Sequence, residues 1–248
     1  MQTEKKHKYG LLGKDISYSF SEAYFSEKFK KLGLNFHHYL NFDFKNLSGF
    51  EAFLKNNSEL RGMNVTIPYK EAVIPFLTEL DTTAAAIGAV NTIKFTEKGT
   101  KGYNTDVIGF EKAIVPMIKK NHKKALILGT GGASKAVAYV FKEKDIPFTY
   151  VSRKPKAGQM SYQELTNSML IEHQIIVNAT PLGTFPNVLE KPDIEYSAIG
   201  ENHLFFDLIY NPEVTAFLKE AQSRGATTKN GYEMLKGQAE ASWEIWNS

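Results

Sequence analysis

The sequence predicts an α/β protein in two units, the second built on a parallel sheet. Three observations carry that reading. Residues 126–137 run from the apolar Leu126-Ile127-Leu128 through Gly129, Gly131 and Gly132 into a helical pattern, the order of strand, tight turn and helix N-terminus. From Lys124 onward, near-continuous apolar runs recur at 125–128, 148–151, 175–177 and 204–208, as strands buried on both faces do. The N-terminal half instead places polar residues at the ends of its strands. The glycines let backbone N–H groups approach a pyrophosphate whose charge the helix dipole favours. The C-terminal unit therefore reads as a Rossmann-type nucleotide-binding domain. An ordinary β–α turn would also contain Gly-x-Gly, and Ser134 stands where a third glycine or alanine is usual.

The elements follow in order. A strand at 9–12 precedes a helix at 21–32, whose Tyr24, Phe25, Phe29 and Leu32 fall at helical spacing and which Gly33 closes. Ser19 and Glu22, three residues apart, form a capping box for that helix. A strand at 36–42 and a short helix at 47–54 come next. Met63, Val65 and Ile67 alternate into Pro68, where a strand must give way to a loop. Residues 90–95 and 101–103 flank a turn at 97–100 and read as a hairpin, followed by a helix at 107–119. The final helix spans 232–246.

Composition limits the partners. The chain has 248 residues, 42% of them apolar, a formal charge of +3 and no cysteine. This supports a packed core, gives no basis for nucleic-acid binding, and excludes disulfides and thiolate metal sites. No apolar stretch reaches membrane-spanning length, and the lysine-rich Met1 to Lys8 is followed by no signal-peptide core. The expectation is a cytoplasmic protein with no membrane partner. Its six histidines and its carboxylates show no metal-ligand spacing, so no metal is expected.

Several segments put reactive groups at strand ends. Lys70 lies just beyond the strand that ends at Pro68; alone it reads as a surface lysine. Gly88 to Thr92 and Gly102 to Asp106 set Asn, Thr and Asp beside glycine, as turns do. Taken in order, these segments resemble the shikimate dehydrogenase family almost end to end. The matches are Gly13, Ser19 and Ser21; Asn-Val-Thr-x-Pro-x-Lys at Asn64 to Lys70; Ala-Val-Asn-Thr at Ala89 to Thr92; and Asn-Thr-Asp-x-x-Gly at Asn104 to Gly109. They continue with Gly-x-Gly-Gly-Ala-Ser at Gly129 to Ser134, Asn-Ala-Thr-Pro-x-Gly at Asn178 to Gly183, Asp-x-x-Tyr-x-Pro at Asp207 to Pro212, and Asn-Gly…Met-Leu-x-Gly-Gln-Ala at Asn230 to Ala239. The chain departs from the pattern at Asp15 and Glu22, where prolines are usual, and at Tyr18, where a histidine is.

The resemblance implies reversible NADPH-dependent reduction of 3-dehydroshikimate to shikimate, in the shikimate pathway that leads to chorismate and the aromatic amino acids. It implies a substrate-binding domain at 1–105, an NADP-binding domain at 106–231 and a helix at 232–248 returning to the first, with the active site in the cleft between domains. Lys70 is implied as proton donor to the developing alkoxide, with Asp106 as its partner. Ser19, Ser21 and Tyr210 resemble the set that binds the substrate carboxylate; Thr66, Asn91 and Gln238 resemble the groups that read the ring hydroxyls. Gly129, Gly131, Gly132, Ala133, Ser134, Asn178 and Thr180 fall at cofactor positions. After the strand at 148–151 the chain offers Ser152, Arg153 and Lys154 and no carboxylate, which suits the 2′-phosphate of NADP rather than the free hydroxyl of NAD. Two other readings remain: a quinate/shikimate dehydrogenase using NAD, and a non-catalytic NADP-binding module. Either a monomer or a homodimer fits.

Overall fold

A computed structural model describes residues 6–16, 19–57 and 59–248; residues 1–5 of the lysine-rich N-terminus and Tyr18 lie outside the described residues. The chain divides into two compact units, Met1–Thr105 with Ala239–Ser248, and Asp106–Gln238.

In the first unit the elements are β1 (His7–Gly13), α1 (Phe20–Lys31), β2 (His37–Asp43), α2 (Phe50–Asn56), β3 (Leu60–Val65), α3 (Tyr69–Ala72), β4 (Glu79–Leu80), α4 (Thr82–Ile87), β5 (Thr92–Thr96) and β6 (Gly99–Tyr103). The strands form one mixed sheet in the order β2-β1-β3-β5-β6-β4. β1 runs parallel to β2 and β3, whereas β5 is antiparallel to both β3 and β6. One side of this unit is an apolar cluster around Leu12, Phe50, Met63 and Ile93; another joins Tyr9, Phe25, Phe29 and Tyr39 to Trp246.

The second unit contains α5 (Asp106–Ile114), β7 (Ala125–Leu128), α6 (Gly132–Glu143), β8 (Phe148–Ser152), β9 (Met160–Ser161), α7 (Asn167–Glu172), β10 (Ile175–Asn178), β11 (Leu204–Asp207), α8 (Ala216–Gln222) and β12 (Thr227–Lys229). α9 (Tyr232–Asn247) begins in this unit, and its residues from Ala239 belong to the first. All six strands are parallel, in the order β9-β8-β7-β10-β11-β12. This is the doubly wound Rossmann order, whose direction reverses between β7 and β10. The apolar runs at β7, β10 and β11 are buried throughout, which is why they lack polar alternation. No helix among the described residues is long and apolar enough to cross a membrane.

Several boundaries differ from the sequence expectation, and three have a plain local cause. The strand entering Pro68 stops at Val65 and leaves Ile67 73% exposed, because the Thr66 carbonyl turns to accept the Tyr69 N–H at 2.9 Å. The helix expected to run to 119 ends at Ile114, with Pro116 in a 3-10 turn at Val115–Met117, since proline offers no N–H to continue the ladder. The helix at 21–32 has Leu32 as C-cap, and Gly33 follows at φ 68, the left-handed conformation that glycine adopts at least cost.

α5 crosses α9 at two glycines. A Cβ on Gly109 would stand 2.3 Å from the Met234 carbonyl oxygen, and one on Gly237 would stand 3.1 Å from the Gly109 Cα. The crossing seats Gln238 beside the helix that begins with Asp106. Gly109→Ala is expected to destabilise the protein by about 1–3 kcal/mol, because main chain cannot yield as a side-chain tip can. Urea denaturation measures this directly, and an unchanged midpoint would show that the crossing has slack.

Candidate active site

Backbone hydrogen bonds at the end of β3 assemble the first group of residues. The Val65 N–H donates to the Asn91 carbonyl at 2.8 Å, and the Val90 N–H donates to the Lys70 carbonyl at 2.7 Å. The Thr66 N–H donates to the Leu12 carbonyl and the Lys14 N–H to the Ile67 carbonyl, so the loop after β1 lies against the loop after β3. The space beside Gly13 is filled by the Ile16 and Thr66 side chains. Thr66 and Lys70 thus share one end of one sheet with Asn91, which is remote from them in sequence. Tyr69, whose hydroxyl donates to the Phe44 carbonyl, anchors the helical turn that carries Lys70.

Beneath them is a buried polar cluster. Asn91 Oδ1 accepts from the Thr105 N–H at 2.7 Å, from Thr105 Oγ1 at 3.1 Å and from Thr92 Oγ1 at 3.1 Å, fixing which way the amide faces. Asn64 Nδ2 donates to the Ser242 Oγ of α9 at 2.9 Å and to Thr92 Oγ1 at 3.2 Å. The Tyr39 hydroxyl donates to Asn64 Oδ1 at 2.8 Å. Burial pushes that hydroxyl far above the ordinary tyrosine range, against a hydrogen bond from Ser21, so it remains a donor. Ser21 is thereby joined to the amide cluster through Tyr39.

The loop leading to the two serines departs from sequence expectation in one respect. Ser19 is the N-cap of α1 and accepts from the Ser21 N–H at 3.2 Å, but the capping box does not close. The Ser19 N–H donates to the Ile16 carbonyl, and the Glu22 carboxylate accepts instead from Asn41 Nδ2 at 2.5 Å. Asp43 takes the loop from the other side, accepting from the Asp15 and Ile16 N–H groups at 3.0 and 3.4 Å. Asp15 adopts φ 55, which the proline ring cannot reach, so the replacement of that usual proline is matched by a different turn.

In the second unit the C-terminal ends of β7 and β10 meet. The Ala179 N–H donates to the Leu128 carbonyl at 2.8 Å, and Gly129, at φ 105, would press a Cβ to 3.0 Å from the Ala179 carbonyl oxygen and from Thr180 Cγ2. Gly131 is the N-cap of α6, with no side-chain cap and open space where a Cβ would stand. A pyrophosphate fits that cradle: glycine backbone, an uncapped twelve-residue helix and room above it. Ala133 lies in the first turn of α6; Ser134 is fully buried there and donates through Oγ to the Gly131 carbonyl at 2.7 Å. Ser152 ends β8 and accepts from the Lys154 N–H, while Arg153 and Lys154 are exposed.

Asn178 and Asp207, fully buried at adjacent strand ends, organise the next two loops. Asn178 Oδ1 accepts from the Thr180 N–H and hydroxyl at 3.0 and 2.6 Å, and its Nδ2 donates to Asp207 Oδ1 at 3.1 Å. Asp207 also accepts from the Ile209 N–H at 3.0 Å and the Thr215 hydroxyl at 2.6 Å, holding the loop that carries Tyr210. Asp106 begins α5 and is buried; Gln238 lies on α9.

Residues 11–93 match the family model for the shikimate dehydrogenase substrate-binding domain. A shikimate dehydrogenase (NADP(+)) of Crocosphaera subtropica is 37% identical, the alignment covering 98% of this chain and 92% of that protein. The chain belongs to the shikimate dehydrogenase family. A crystal structure of Thermus thermophilus shikimate 5-dehydrogenase in complex with NADP(H) and shikimate superposes with a TM-score of 0.86 at 29% identity, covering 97% of this chain and 93% of that one. Quinate dehydrogenase from Corynebacterium glutamicum in complex with NAD gives 0.85 at 25% identity, with 98% of this chain and 94% of that one covered.

For this shikimate dehydrogenase family member, sequence reasoning about the site passed over Tyr39, Thr105, Asp207 and Ser242. Tyr39 and Ser242 sit in aromatic and helical patterns that read as core, and only tertiary structure reveals their polar contacts. Asp207 was visible as part of a motif but had no stated role. Burial raises its carboxyl to about 6 against the three hydrogen bonds it accepts. A carboxyl whose native pKa lies above its unfolded value adds stability below the unfolded value and loses it as pH rises through the native one. The stability of the wild type relative to Asp207→Asn is therefore expected to increase, by up to about 3 kcal/mol, between pH 7 and pH 4. Paired urea titrations across that range measure it; a difference that is flat or of opposite sign would contradict the assignment.

Proposed function

We propose that the chain is an NADP-dependent shikimate dehydrogenase, an oxidoreductase interconverting 3-dehydroshikimate and shikimate on the route to chorismate and the aromatic amino acids. The observation that carries this is the clamping of Lys70, through its carbonyl and the Val90 N–H, to the strand-end frame that also holds Thr66 and Asn91. A lysine whose main chain is held in the same frame as hydroxyl- and amide-bearing residues suits a polyhydroxylated substrate with a ketone to be protonated.

NADPH, when bound, supplies the hydride. Lys70 hydrogen-bonds the ketone oxygen and gives it a proton as negative charge develops; in oxidation the neutral amine takes the hydroxyl proton. Asp106 supplies the carboxylate of the catalytic set. Ser19 and Ser21, with Tyr210, bind the substrate carboxylate, and Thr66, Asn91 and Gln238 read the ring hydroxyls. Gly129, Gly131, Gly132 and Ala133 receive the pyrophosphate. The buried side chains of Ser134 and Asn178 shape the turns around it, the latter by holding Thr180. Ser152, Arg153 and Lys154 accommodate the 2′-phosphate. The absence of a carboxylate from this basic segment favours NADP over an NAD-using quinate dehydrogenase, and the presence of both Lys70 and Asp106 favours an enzyme over a binding module. The protein works in the cytoplasm, as a monomer or homodimer.

Steady-state assays of NADPH formation from shikimate test the mechanism. Lys70→Ala is expected to lower kcat by at least roughly 10²–10⁴-fold with little change in shikimate affinity. A variant that turned over at the wild-type rate would remove Lys70 from the chemistry. Arg153→Ala is expected to raise KM for NADP much more than KM for NAD, by roughly ten- to a hundredfold, from charge-assisted contacts of about 1.5–3 kcal/mol. Equal losses with the two cofactors would show that Arg153 does not read the 2′-phosphate.

A further inference from the structure

We propose that Ser242 is a positioning residue for substrate recognition, orienting the Asn91 amide from α9 through the hydroxyls of Thr92 and Thr105. The inference rests on the reading of Asn91 as a group that meets a ring hydroxyl.

Ser242 is fully buried, and its Oγ lies 2.9 Å from Asn64 Nδ2, 2.8 Å from Thr92 Oγ1 and 3.2 Å from Thr105 Oγ1. Both threonine hydroxyls, themselves 3.1 Å apart and fully buried, reach Asn91 Oδ1. A hydroxyl has one proton to give and two lone pairs to receive with. Each threonine can point its proton at Asn91 only if its other neighbours give rather than take. Asn64 begins that order: the Tyr39 hydroxyl occupies Asn64 Oδ1, so the end facing Ser242 is the donor Nδ2. Ser242 accepts there and can pass its own proton to a threonine oxygen, which leaves the threonine proton for Asn91 Oδ1. The donor sequence Tyr39, Asn64, Ser242, threonine, Asn91 therefore reinforces the orientation of the Asn91 amide that the Thr105 N–H favours, Nδ2 included. In such a buried network the chain of donors specifies geometry beyond what any single bond contributes. Removal of the Ser242 hydroxyl lets the threonine protons turn to one another and weakens the hold on Oδ1, while the Thr105 N–H bond at 2.7 Å keeps the loop in place.

The test is a kinetic double-mutant cycle between Ser242 and Asn91. Ser242→Ala is expected to raise KM for shikimate about three- to tenfold, the scale of one net hydrogen bond, with kcat and KM for NADP within about twofold of wild type. On an Asn91→Ala background, which itself raises KM for shikimate, the same substitution is expected to add nothing. Ser242→Ala that lowers only the melting temperature, or whose effect multiplies with that of Asn91→Ala, overturns the positioning role. If Asn91→Ala alone leaves KM for shikimate unchanged, the reading of Asn91 fails first and the inference falls with it.

Discussion

The clamp between the end of β3 and the start of β5 is the constraint on which the first unit's chemistry depends. The sheet changes there from parallel to antiparallel pairing, so the chain entering β5 passes alongside the chain leaving β3. Two short backbone bonds, Val65 to Asn91 and Lys70 to Val90, close the junction. Without them Lys70 would be an ordinary lysine at the start of a four-residue helical turn too short to hold its own position. With them, its main chain is as fixed as the sheet. Buried amides and hydroxyls under the junction bond to one another and to nearby main chain, and a misplaced strand would leave them unpaired at a cost of about 1–3 kcal/mol each.

The second unit applies a similar rule at different strand ends. Where β7 and β10 diverge, the backbone of Ala179 closes on Leu128, and only a residue free to take φ 105 fits at Gly129. Asp207 then ties the loop after β11 to Asn178 at the end of β10, with three donors converging on one buried carboxylate. Each unit therefore holds its chemical groups on loops whose backbones are fixed by neighbouring strands, the arrangement expected where binding residues must be both exposed and precise.

The sequence made the second unit legible because parallel strands buried on both faces announce themselves as apolar runs, and β7, β10 and β11 fall within a residue of their expected limits. The mixed sheet was harder to read. Strand ends are set by hydrogen bonds to residues far along the chain, so the expected start of β5 at 90 becomes Thr92 once Val90 and Asn91 are claimed by Lys70 and Tyr103. The two-residue strands β4 and β9 and the three-residue β12 have no periodicity to detect. Ser19 was recognised as a helix cap, but the direction of Glu22 depended on Asn41, a strand residue nineteen positions later. Residues such as Lys70, Asn91 and Ser134 could be picked out because an ordered set of motifs surrounds them. Tyr39 and Ser242 could not, because nothing in a local pattern separates a buried, hydrogen-bonded hydroxyl from one that faces solvent.

The central claim is that this strand-end frame exists before substrate arrives. Crystal structures of the protein alone and with shikimate test it most directly. The account predicts that 64–70 and 89–92 superpose within experimental error, with Asn91 Oδ1 on the Thr105 N–H in both and Nδ2 turned to a ring hydroxyl when shikimate is present. An Asn91 amide that rotates on binding, or a Val90–Lys70 bond that forms only in the complex, would contradict it.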